Sequence, residues 1–226
     1  MIGAIIQARM GSSRLPGKTM KKIDDQYVID HVIEQVKSAK KIDSLIVATT
    51  NLIEDDIIYQ HLSEKNVKCF RGSSEDVLDR YYECAKEFSI DVIVRITADN
   101  PLIDPHIIDL VVNKYISNNY DFVTNTIQRT FPYGTEVEVF SFDSLKKAWE
   151  QAKKPSEREH VTPFIRDPKN GFILSNIEYD HDNLSHMRYT VDRIEDLNLV
   201  KEIVQNISKR PILLQNIIVL YKAKPE

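Results

Sequence analysis

The first 125 residues alternate short apolar runs with amphipathic stretches, and this alternation is the strongest constraint on the fold. Residues 2–7 are predicted to form the first strand, and residues 28–39 a helix because their apolar side chains recur at helical spacing. Strand patterns that alternate with helix patterns are typical of a parallel sheet flanked by helices. Further strands are predicted at 45–48, 67–70, 91–97 and 121–124, and further helices at 55–65, 75–88 and 106–117.

The second half of the chain has a less regular pattern. Residues 135–142 alternate apolar with polar or charged side chains, which predicts a half-exposed strand. Residues 125–170 are interpreted as an arm inserted into a single α/β domain that spans residues 1–226. The other predictions here are helices at 143–153, 159–166 and 195–206, strands at 172–177 and 188–191, and a segment at 212–220 that favours helix over strand.

The composition is that of a globular protein and excludes several classes. Hydrophobic residues make up 42% and charged residues 28% of the chain, which excludes a disordered protein. Thirty basic residues against 34 acidic ones give a net charge of −4, which argues against a nucleic-acid-binding protein. No apolar run approaches the roughly 20 residues that span a bilayer, and the apolar start lacks the basic leader and cleavage site of a signal peptide. Cys69 and Cys84 are too few for a disulfide scaffold or a cysteine metal site, so a reduced, cytoplasmic setting is expected.

The segment from Gln7 to Lys18, QARMGSSRLPGK, is the most informative stretch. It places three cations, two glycines and two serines at the carboxyl end of the first predicted strand, where ligands bind in open α/β sheets. Glycines let backbone amides approach an anion and Arg and Lys neutralise it, so this composition favours a polyphosphate. Five residues separate Gly11 from Gly17 whereas a P-loop has four, and the three-glycine dinucleotide pattern is absent. A solvated basic turn is the alternative interpretation.

Five blocks of the sequence resemble the cytidylyltransferases that activate acidic sugars, in particular the branch of spore-coat polysaccharide biosynthesis. The blocks are 5–18 (IIQARMGSSRLPGK), 72–81 (GSSEDVLDRY), 95–103 (RITADNPLI), 158–162 (REHVT) and 190–197 (TVDRIEDL). They span most of the chain in the family's order. Sialic-acid synthetases usually have Pro where Gln7 stands and a Thr-Ser-Pro-type segment near 98–101, so these differences argue against a sialic acid as substrate.

The resemblance implies a Rossmann-like fold of the GT-A, or nucleotide-diphospho-sugar transferase, type, with a mixed sheet flanked by helices and a dimerisation arm near 125–170. The residues that it implies for catalysis are Arg9, Lys18 and Asp99. Those for nucleotide binding are Gln7, Ala8, Arg9, Gly11, Ser12, Ser13, Lys18, Ala48, Thr49, Thr50, Arg71, Asp76, Arg80, Thr97 and Ala98. The candidates for binding the acceptor substrate, where a cation would hold its carboxylate or phosphate, are residues on the arm: Tyr133, Glu136, Glu138, Arg158 and His160. An ordinary i, i+4 surface pair is an equal alternative for Asp76 and Arg80, and a core histidine for His160.

Asp99 and Asp192 each follow a predicted strand and are expected at the same edge of the sheet. Mg²⁺ prefers one or two carboxylates together with phosphate oxygens and water. The resemblance implies that this pair holds Mg²⁺, which is the expected cofactor. A turn role for Asp99 and a helix cap for Asp192 are the alternatives, and Asp196 is expected on a helix surface.

The leading hypothesis is a Mg²⁺-dependent transfer of CMP from CTP to an acidic sugar or related anionic acceptor, with release of pyrophosphate, for surface glycan biosynthesis. The expected enzyme is a cytoplasmic homodimer, and neither nucleic acid nor a membrane is an expected partner. One alternative is a sugar-1-phosphate nucleotidyltransferase that uses another triphosphate such as GTP. Another is a nucleotide-sugar glycosyltransferase, which has no need of a cationic triphosphate loop. A non-catalytic nucleotide- or partner-binding protein is the third.

Overall fold

A computed structural model describes residues 1–222 and has a mixed β-sheet with helices on both faces. The strands are β1 (Ile2–Gln7), β2 (Lys22–Ile23), β3 (Gln26–Tyr27), β4 (Ser44–Thr50), β5 (Lys68–Gly72), β6 (Val92–Thr97), β7 (Phe122–Thr124), β8 (Glu138–Ser141) and β9 (Leu174–Asn176). The α-helices are α1 (Val28–Lys37), α2 (Asp56–Glu64), α3 (Val77–Glu87), α4 (Pro105–Ile116), α5 (Phe142–Gln151), α6 (Pro155–His160), α7 (Pro163–Arg166), α8 (Ile194–Asn206) and α9 (Leu214–Lys222). Seven strands form one sheet in the order β5-β4-β1-β6-β8-β7-β9, and β2 and β3 form a separate hairpin.

Strand β1 is the centre of the parallel part of the sheet. It pairs in parallel with β4 and β6, and β4 pairs in parallel with β5. Gln7, at the end of β1, lies beside Ala48 of β4 and Thr97 of β6, so three strands end at one edge. The strands and helices predicted for the first 125 residues are confirmed, with small shifts at their ends.

Side chains of β1 alternate between two hydrophobic cores, as the two-residue period of a strand requires. Ala4 and Ile6 pack in the core formed with α1, α2, α4, α8 and α9. Ile5 packs in the core formed with α3, α5 and α7. A strand that is apolar on both faces is expected for a parallel sheet covered by helices on both sides.

Strand β8 lies inside the sheet, antiparallel to both β6 and β7. Glu138, Val139 and Phe140 are at most 5% exposed, so the half-exposed strand predicted for 135–142 is wrong in its burial. The charge of Glu138 is tolerated because Arg95 forms an ion pair with it at 2.7 Å. Because β8 and α5 belong to the sheet and its cover, part of the expected arm at 125–170 is integral to the fold, and dimerisation through it stays a prediction.

Two further predictions in the second half are corrected. Residues 188–191 do not form a strand, because Arg188 makes only an isolated bridge with Tyr133. The helix predicted at 159–166 is two short helices, α6 and α7, which are separated at Val161, whose φ of +70° cannot continue a helix. The helices predicted at 143–153, 195–206 and 212–220 and the strand at 172–177 are confirmed. Within residues 1–222, every helix is too short or too polar to cross a membrane.

Candidate active site

The loop that follows β1, residues 8–18, is held by its own backbone and by one buried carboxylate. Gly17 has a φ of +67°, a left-handed conformation that favours glycine, and donates its amide to the carbonyl of Met10 at 3.1 Å. The fully buried Asp55 accepts the amide of Met10 at 2.6 Å and the hydroxyl of Thr50. Contacts that do not involve the cationic side chains therefore help to fix the shape of the loop. In the sequence, Asp55 is recognisable only as an acidic residue at the start of the helix predicted at 55–65.

Lys18, the last residue of the loop, joins two carboxylates from distant parts of the chain. Its ammonium lies 2.6 Å from Oδ2 of Asp99 and 2.8 Å from Oδ1 of Asp192. Arg14 and Arg188 also pair with Asp192, at 2.9 and 2.5 Å. We call Lys18, Asp99 and Asp192 the carboxylate–lysine junction. The two aspartates are predicted to lie at the same edge of the sheet, and the structure confirms this position.

Asp192 reaches the junction without the strand that the sequence predicts before it. The extended segment leading to it is held by the amide of Val191, which donates to the carbonyl of Asp99 at 2.8 Å. Asp196 accepts the backbone amides of Asp192 and Arg193, both at 2.9 Å, and so fixes the start of α8. Asp196 therefore caps α8. The alternative that Asp192 is the cap is wrong, and Asp196 does more than lie on the helix surface.

The charges around Asp192 set its protonation. Burial by itself would raise the pKa of its carboxyl, but the hydrogen bond and the charge of Lys18, with the charges of Arg14 and Arg188, hold the pKa below the ordinary value. On the other side of the junction, the hydroxyl of Thr97 donates to Asp99 at 2.5 Å. Both aspartates are thus partnered by donors.

A cleft of about 240 Å³ opens between the loop and the ends of β1 and β6, and we call it the loop cleft. It is lined by Gln7, Ala8, Arg9, Gly11, Ser12, Ser13, Arg14, Lys18, Thr19, Val77, Arg80, Thr97, Ala98, Asp99, Glu159 and His160. Most of the residues predicted for nucleotide binding are among them. The predicted Ala48, Thr49, Thr50, Arg71 and Asp76 are not.

Arg71 illustrates why some predicted residues stay outside the lining. Its guanidinium donates to the carbonyls of Thr50 and Leu52 at 3.0 and 2.9 Å and pairs with Asp56 at 2.7 Å. These contacts tie the end of β5 to the start of α2. In the structure, Arg71 therefore supports the wall of the site.

Arg80 and Asp76 do not form the surface pair that was the alternative for them. Arg80 is 2% exposed and donates to the carbonyl of Ser73 at 2.7 Å, and within residues 1–222 its Nε has no hydrogen-bond partner. Burial lowers the pKa of its guanidinium from the ordinary value. Asp76 instead pairs with Arg158, at 2.5 Å, and caps α3 through the amide of Asp79. Arg80 is thus a buried cation with spare donor capacity in the wall of the loop cleft.

A second pocket, of about 360 Å³, shares Thr97 and Asp99 with the loop cleft, and we call it the arginine pocket. It is lined by Arg95, Thr97, Asp99, Asn100, Thr126, Arg129, Tyr133, Glu136, Glu138, Arg166, Arg188, Thr190 and Asp192. Tyr133, Glu136 and Glu138, which are predicted to bind the acceptor, line this pocket. Arg158 does not, since it is held by Asp76, and the exposed His160 lines the loop cleft instead of packing in the core.

Four arginines of this pocket, Arg95, Arg129, Arg166 and Arg188, are absent from the residues that the sequence predicts for the site. Arg129, Arg166 and Arg188 come from irregular or very short segments that carry no periodic pattern. Arg129 pairs with Glu136 at 2.7 Å and lies over the ring of Tyr133 at 4.0 Å. None of Arg129, Arg166 and Arg188 lies in one of the five sequence blocks, so the blocks do not mark them.

Each glutamate of the arginine pocket is already partnered. Glu136 also accepts from the side-chain amide of Asn100 at 3.1 Å and from the amide of Gly134 at 2.8 Å. Glu138 pairs with Arg95 at 2.7 Å and, more loosely, with Arg166 at 3.6 Å. Arg166 is therefore the cation of this pocket that is least engaged with a carboxylate.

The junction fits a magnesium ion by its chemistry. Within residues 1–222, there is no group of three or more His, Cys, Asp or Glu side chains placed to hold a metal. Mg²⁺ needs fewer protein ligands, because it commonly takes one or two carboxylates and completes its shell with substrate phosphates and water. Asp99 and Asp192, facing one another across an ammonium, are such a pair.

Known proteins that are similar to this chain support the family resemblance that the five sequence blocks indicate. The cytidylyltransferase family profile matches residues 3–223. Over 98% of its length the chain is 40% identical to the uncharacterized protein MJ1063 of Methanocaldococcus jannaschii and 31% identical to the spore coat polysaccharide biosynthesis protein SpsF of Bacillus subtilis, of which it covers 90% and 94%. A 3-deoxy-manno-octulosonate cytidylyltransferase of Pelobacter propionicus is 37% identical over 119 residues, which are 52% of this chain and 45% of that protein.

The fold agrees as well. A solved cytidylyltransferase from Leptospira borgpetersenii serovar Hardjo-bovis matches the structure with a TM-score of 0.92 and 35% sequence identity, over 98% of this chain and 94% of that one. The mixed sheet expected from the resemblance is confirmed, and so is the family. The chain belongs to the cytidylyltransferase family.

Proposed function

We propose that this enzyme transfers CMP from CTP to an acidic sugar or a related anionic acceptor and releases pyrophosphate. The observation that carries the proposal is the position of the carboxylate–lysine junction. It lies where the loop cleft meets the arginine pocket, so a triphosphate on one side and an acceptor on the other would meet at Asp99. Nucleotidyl transfer requires this juxtaposition, because the acceptor oxygen attacks the α-phosphate in line with the departing pyrophosphate.

The triphosphate side of the mechanism uses the loop. Arg9 and Ser13 are exposed in the loop cleft, and we assign the phosphates to them and to Lys18. Asp99 and Asp192 would hold Mg²⁺, which when bound neutralises charge on the α-phosphate and the pyrophosphate. The chain itself contributes by fixing these groups before the reaction, since positioning and charge neutralisation supply most of the acceleration of phosphoryl transfer.

The acceptor side uses the arginine pocket. Its glutamates are neutralised by Arg129 and Arg95, which leaves the loosely engaged Arg166 to receive an anion. Arg binds planar carboxylates with two parallel hydrogen bonds, so a sugar carboxylate suits this position. The partial likeness to a 3-deoxy-manno-octulosonate cytidylyltransferase supports an acidic sugar as the acceptor class. A role in surface polysaccharide synthesis draws support from the likeness to SpsF.

The first test is calorimetric titration with CTP, GTP, UTP and ATP, each with Mg²⁺. We expect selective binding of CTP, weakened by Lys18→Ala. Lys21→Ala is the matched control, because the Lys21 side chain makes no hydrogen bond or ion pair within residues 1–222, and it should bind CTP as the wild type does. Preference for GTP would contradict the choice of base, and binding of no triphosphate would contradict the function.

The second test is pyrophosphate release from CTP in the presence of a panel of sugar acids and their neutral parent sugars. We expect turnover with an acid and none with its neutral counterpart. Arg166→Gln should raise the KM for the acceptor and leave the affinity for CTP unchanged. Equal turnover of acidic and neutral sugars would contradict the acceptor class.

A further inference from the structure

The ammonium of Lys18 lies where a cation held by both aspartates would lie. It is 2.6 Å from one carboxylate and 2.8 Å from the other, and its side chain is only 16% exposed. Lysine has a flexible four-carbon stem and a compact charge, so this contact can form and break without movement of the backbone. The same side chain lines the loop cleft, where the phosphates are proposed to bind.

The charge of the two carboxylates is already balanced by cations of the chain. Lys18, Arg14 and Arg188 pair with Asp99 and Asp192, and Arg188 is shared with Asp196 at 3.7 Å. Arg14 and Arg188 are 57% and 39% exposed and lie at the rim, so water weakens their effect on the interior. Lys18 is the cation that contacts both acids, and a divalent ion entering there meets a positive charge at close range.

We propose that Lys18 is a resident counter-cation, which keeps divalent metal out of the carboxylate pair until a triphosphate draws its ammonium away. The inference rests on the proposed function and adds the order of events: nucleotide and metal bind together, and metal alone binds poorly. The two binding events are then positively coupled, and each ligand raises the affinity for the other by the same factor.

The arrangement also explains how two carboxylates remain stable side by side without a metal. Like charges at close range destabilise a site unless a counter-charge lies between them. Lys18 supplies that charge in this structure. The polyphosphate brings several negative charges to the loop, and these offer the ammonium new partners when it leaves.

The test measures metal binding to nucleotide-free protein, with Mn²⁺ as the probe and free Mn²⁺ followed by electron paramagnetic resonance. Lys18→Met keeps the length of the side chain and removes its charge, and we expect its Kd for Mn²⁺ to fall at least about tenfold below that of the wild type. Lys21→Met removes the same unit of net charge from a side chain without partners in residues 1–222, and its Kd should stay at the wild-type value.

A second readout uses thermal unfolding of the same proteins. Mn²⁺ should raise the Tm of Lys18→Met more than that of the wild type, because tighter binding to the folded state stabilises it more. If Lys18→Met does not fold by circular dichroism, Lys18→Gln takes its place under the same criteria. Equal Mn²⁺ affinity in the wild type and the Lys18 variant would overturn the proposal, and so would an equal gain in Lys21→Met.

The result of the Mn²⁺ test can be distinguished from the result of the tests of the proposed function. A protein that neither binds CTP nor releases pyrophosphate would remove the function, and the Mn²⁺ result would still decide whether Lys18 excludes metal. An enzyme that uses CTP while Lys18→Met binds Mn²⁺ no more tightly would overturn the counter-cation alone.

Discussion

The loop cleft and the arginine pocket share an edge but are built differently. One continuous segment, residues 8–18, and the ends of β1 and β6 form most of the loop cleft. The arginine pocket draws its residues from β6, from the stretch 126–138, from α7 and from the stretch 188–192. A site made by one segment leaves a readable motif in the sequence, whereas a site assembled from four distant segments does not.

The two regions also differ in how their charges are used. The guanidinium of Arg9 makes no hydrogen bond or ion pair within the described chain, so it is available to a ligand. In the arginine pocket, Arg129 and Arg95 are each committed to a glutamate at 2.7 Å. Within the described residues, the loop cleft therefore has an unpaired cation before a ligand binds, whereas these two arginines of the arginine pocket are already paired.

The largest expected effect comes from Asp99, one of the two residues that line both regions. Asp99→Asn should lower kcat for pyrophosphate release by about a thousandfold, because groups that stabilise transition-state charge contribute effects of this order. Asp109→Asn is the control, since Asp109 accepts backbone amides of Lys40 and Lys41 and lies outside both pockets. A fall of less than tenfold in Asp99→Asn would mean that the junction is not the reaction centre.

The assembly of the arginine pocket is tested next by two glycines. Gly134 has a φ of +99°, and an added Cβ would lie 2.7 Å from the backbone of Thr190 and Tyr189. Gly134→Ala should lower the free energy of unfolding by about 3 kcal/mol, from strain and overlap together. Gly171 has a φ of +73° with open space around it, so Gly171→Ala should cost only about 1 kcal/mol. Urea unfolding measures both.

Equal losses in the two alanine variants would show that the overlap is relieved by small shifts. In that case the contact between the stretches at 133–134 and 188–190 would not be what holds the pocket together.

The two regions also differ in how many of their residues can be predicted from the sequence. Lys18 and Asp99 can be placed from the sequence because the loop and β6 end at one edge of a parallel sheet. Asp192 is placed correctly for a wrong reason, since the predicted strand before it is an irregular segment held by the amide of Val191. The arginines at 129, 166 and 188 escape prediction because their positions depend on close approaches, such as the one at Gly134, that leave no periodic pattern.

A smaller effect should separate the two regions in function. Glu136→Gln keeps the shape of the side chain but loses the charge that holds Arg129, so the KM for the acceptor should rise roughly tenfold. The Kd for CTP should not change, because Glu136 is absent from the lining of the loop cleft. Steady-state kinetics measures the KM for the acceptor, and calorimetry measures the Kd for CTP. A matched loss of CTP affinity would mean that the regions act as one site.

The smallest expected effect is a pH dependence at the junction. Because the pKa of Asp192 is held below its ordinary value by Lys18, Arg14 and Arg188 against the effect of burial, the charged carboxylate stabilises the folded state. That stability is fully present above the unfolded pKa of about 3.9 and is lost as the pH falls through the lower folded pKa. Asp192→Asn should therefore be less stable than the wild type by about 1 kcal/mol between pH 7 and 5, and this difference should shrink below about pH 4.

Urea unfolding in the presence of a chelator, at pH 7, 5, 4 and 3, measures this difference. Asp180→Asn is the control, because the side chain of Asp180 is 84% exposed, and its stability should follow the wild type at every pH. A difference that stayed constant to pH 3 would show that the carboxylate charge of Asp192 does not hold the three cations. The geometry of the junction would then depend on backbone contacts such as that between Val191 and Asp99, and the boundary between the two regions would be set by the chain path instead of by charge.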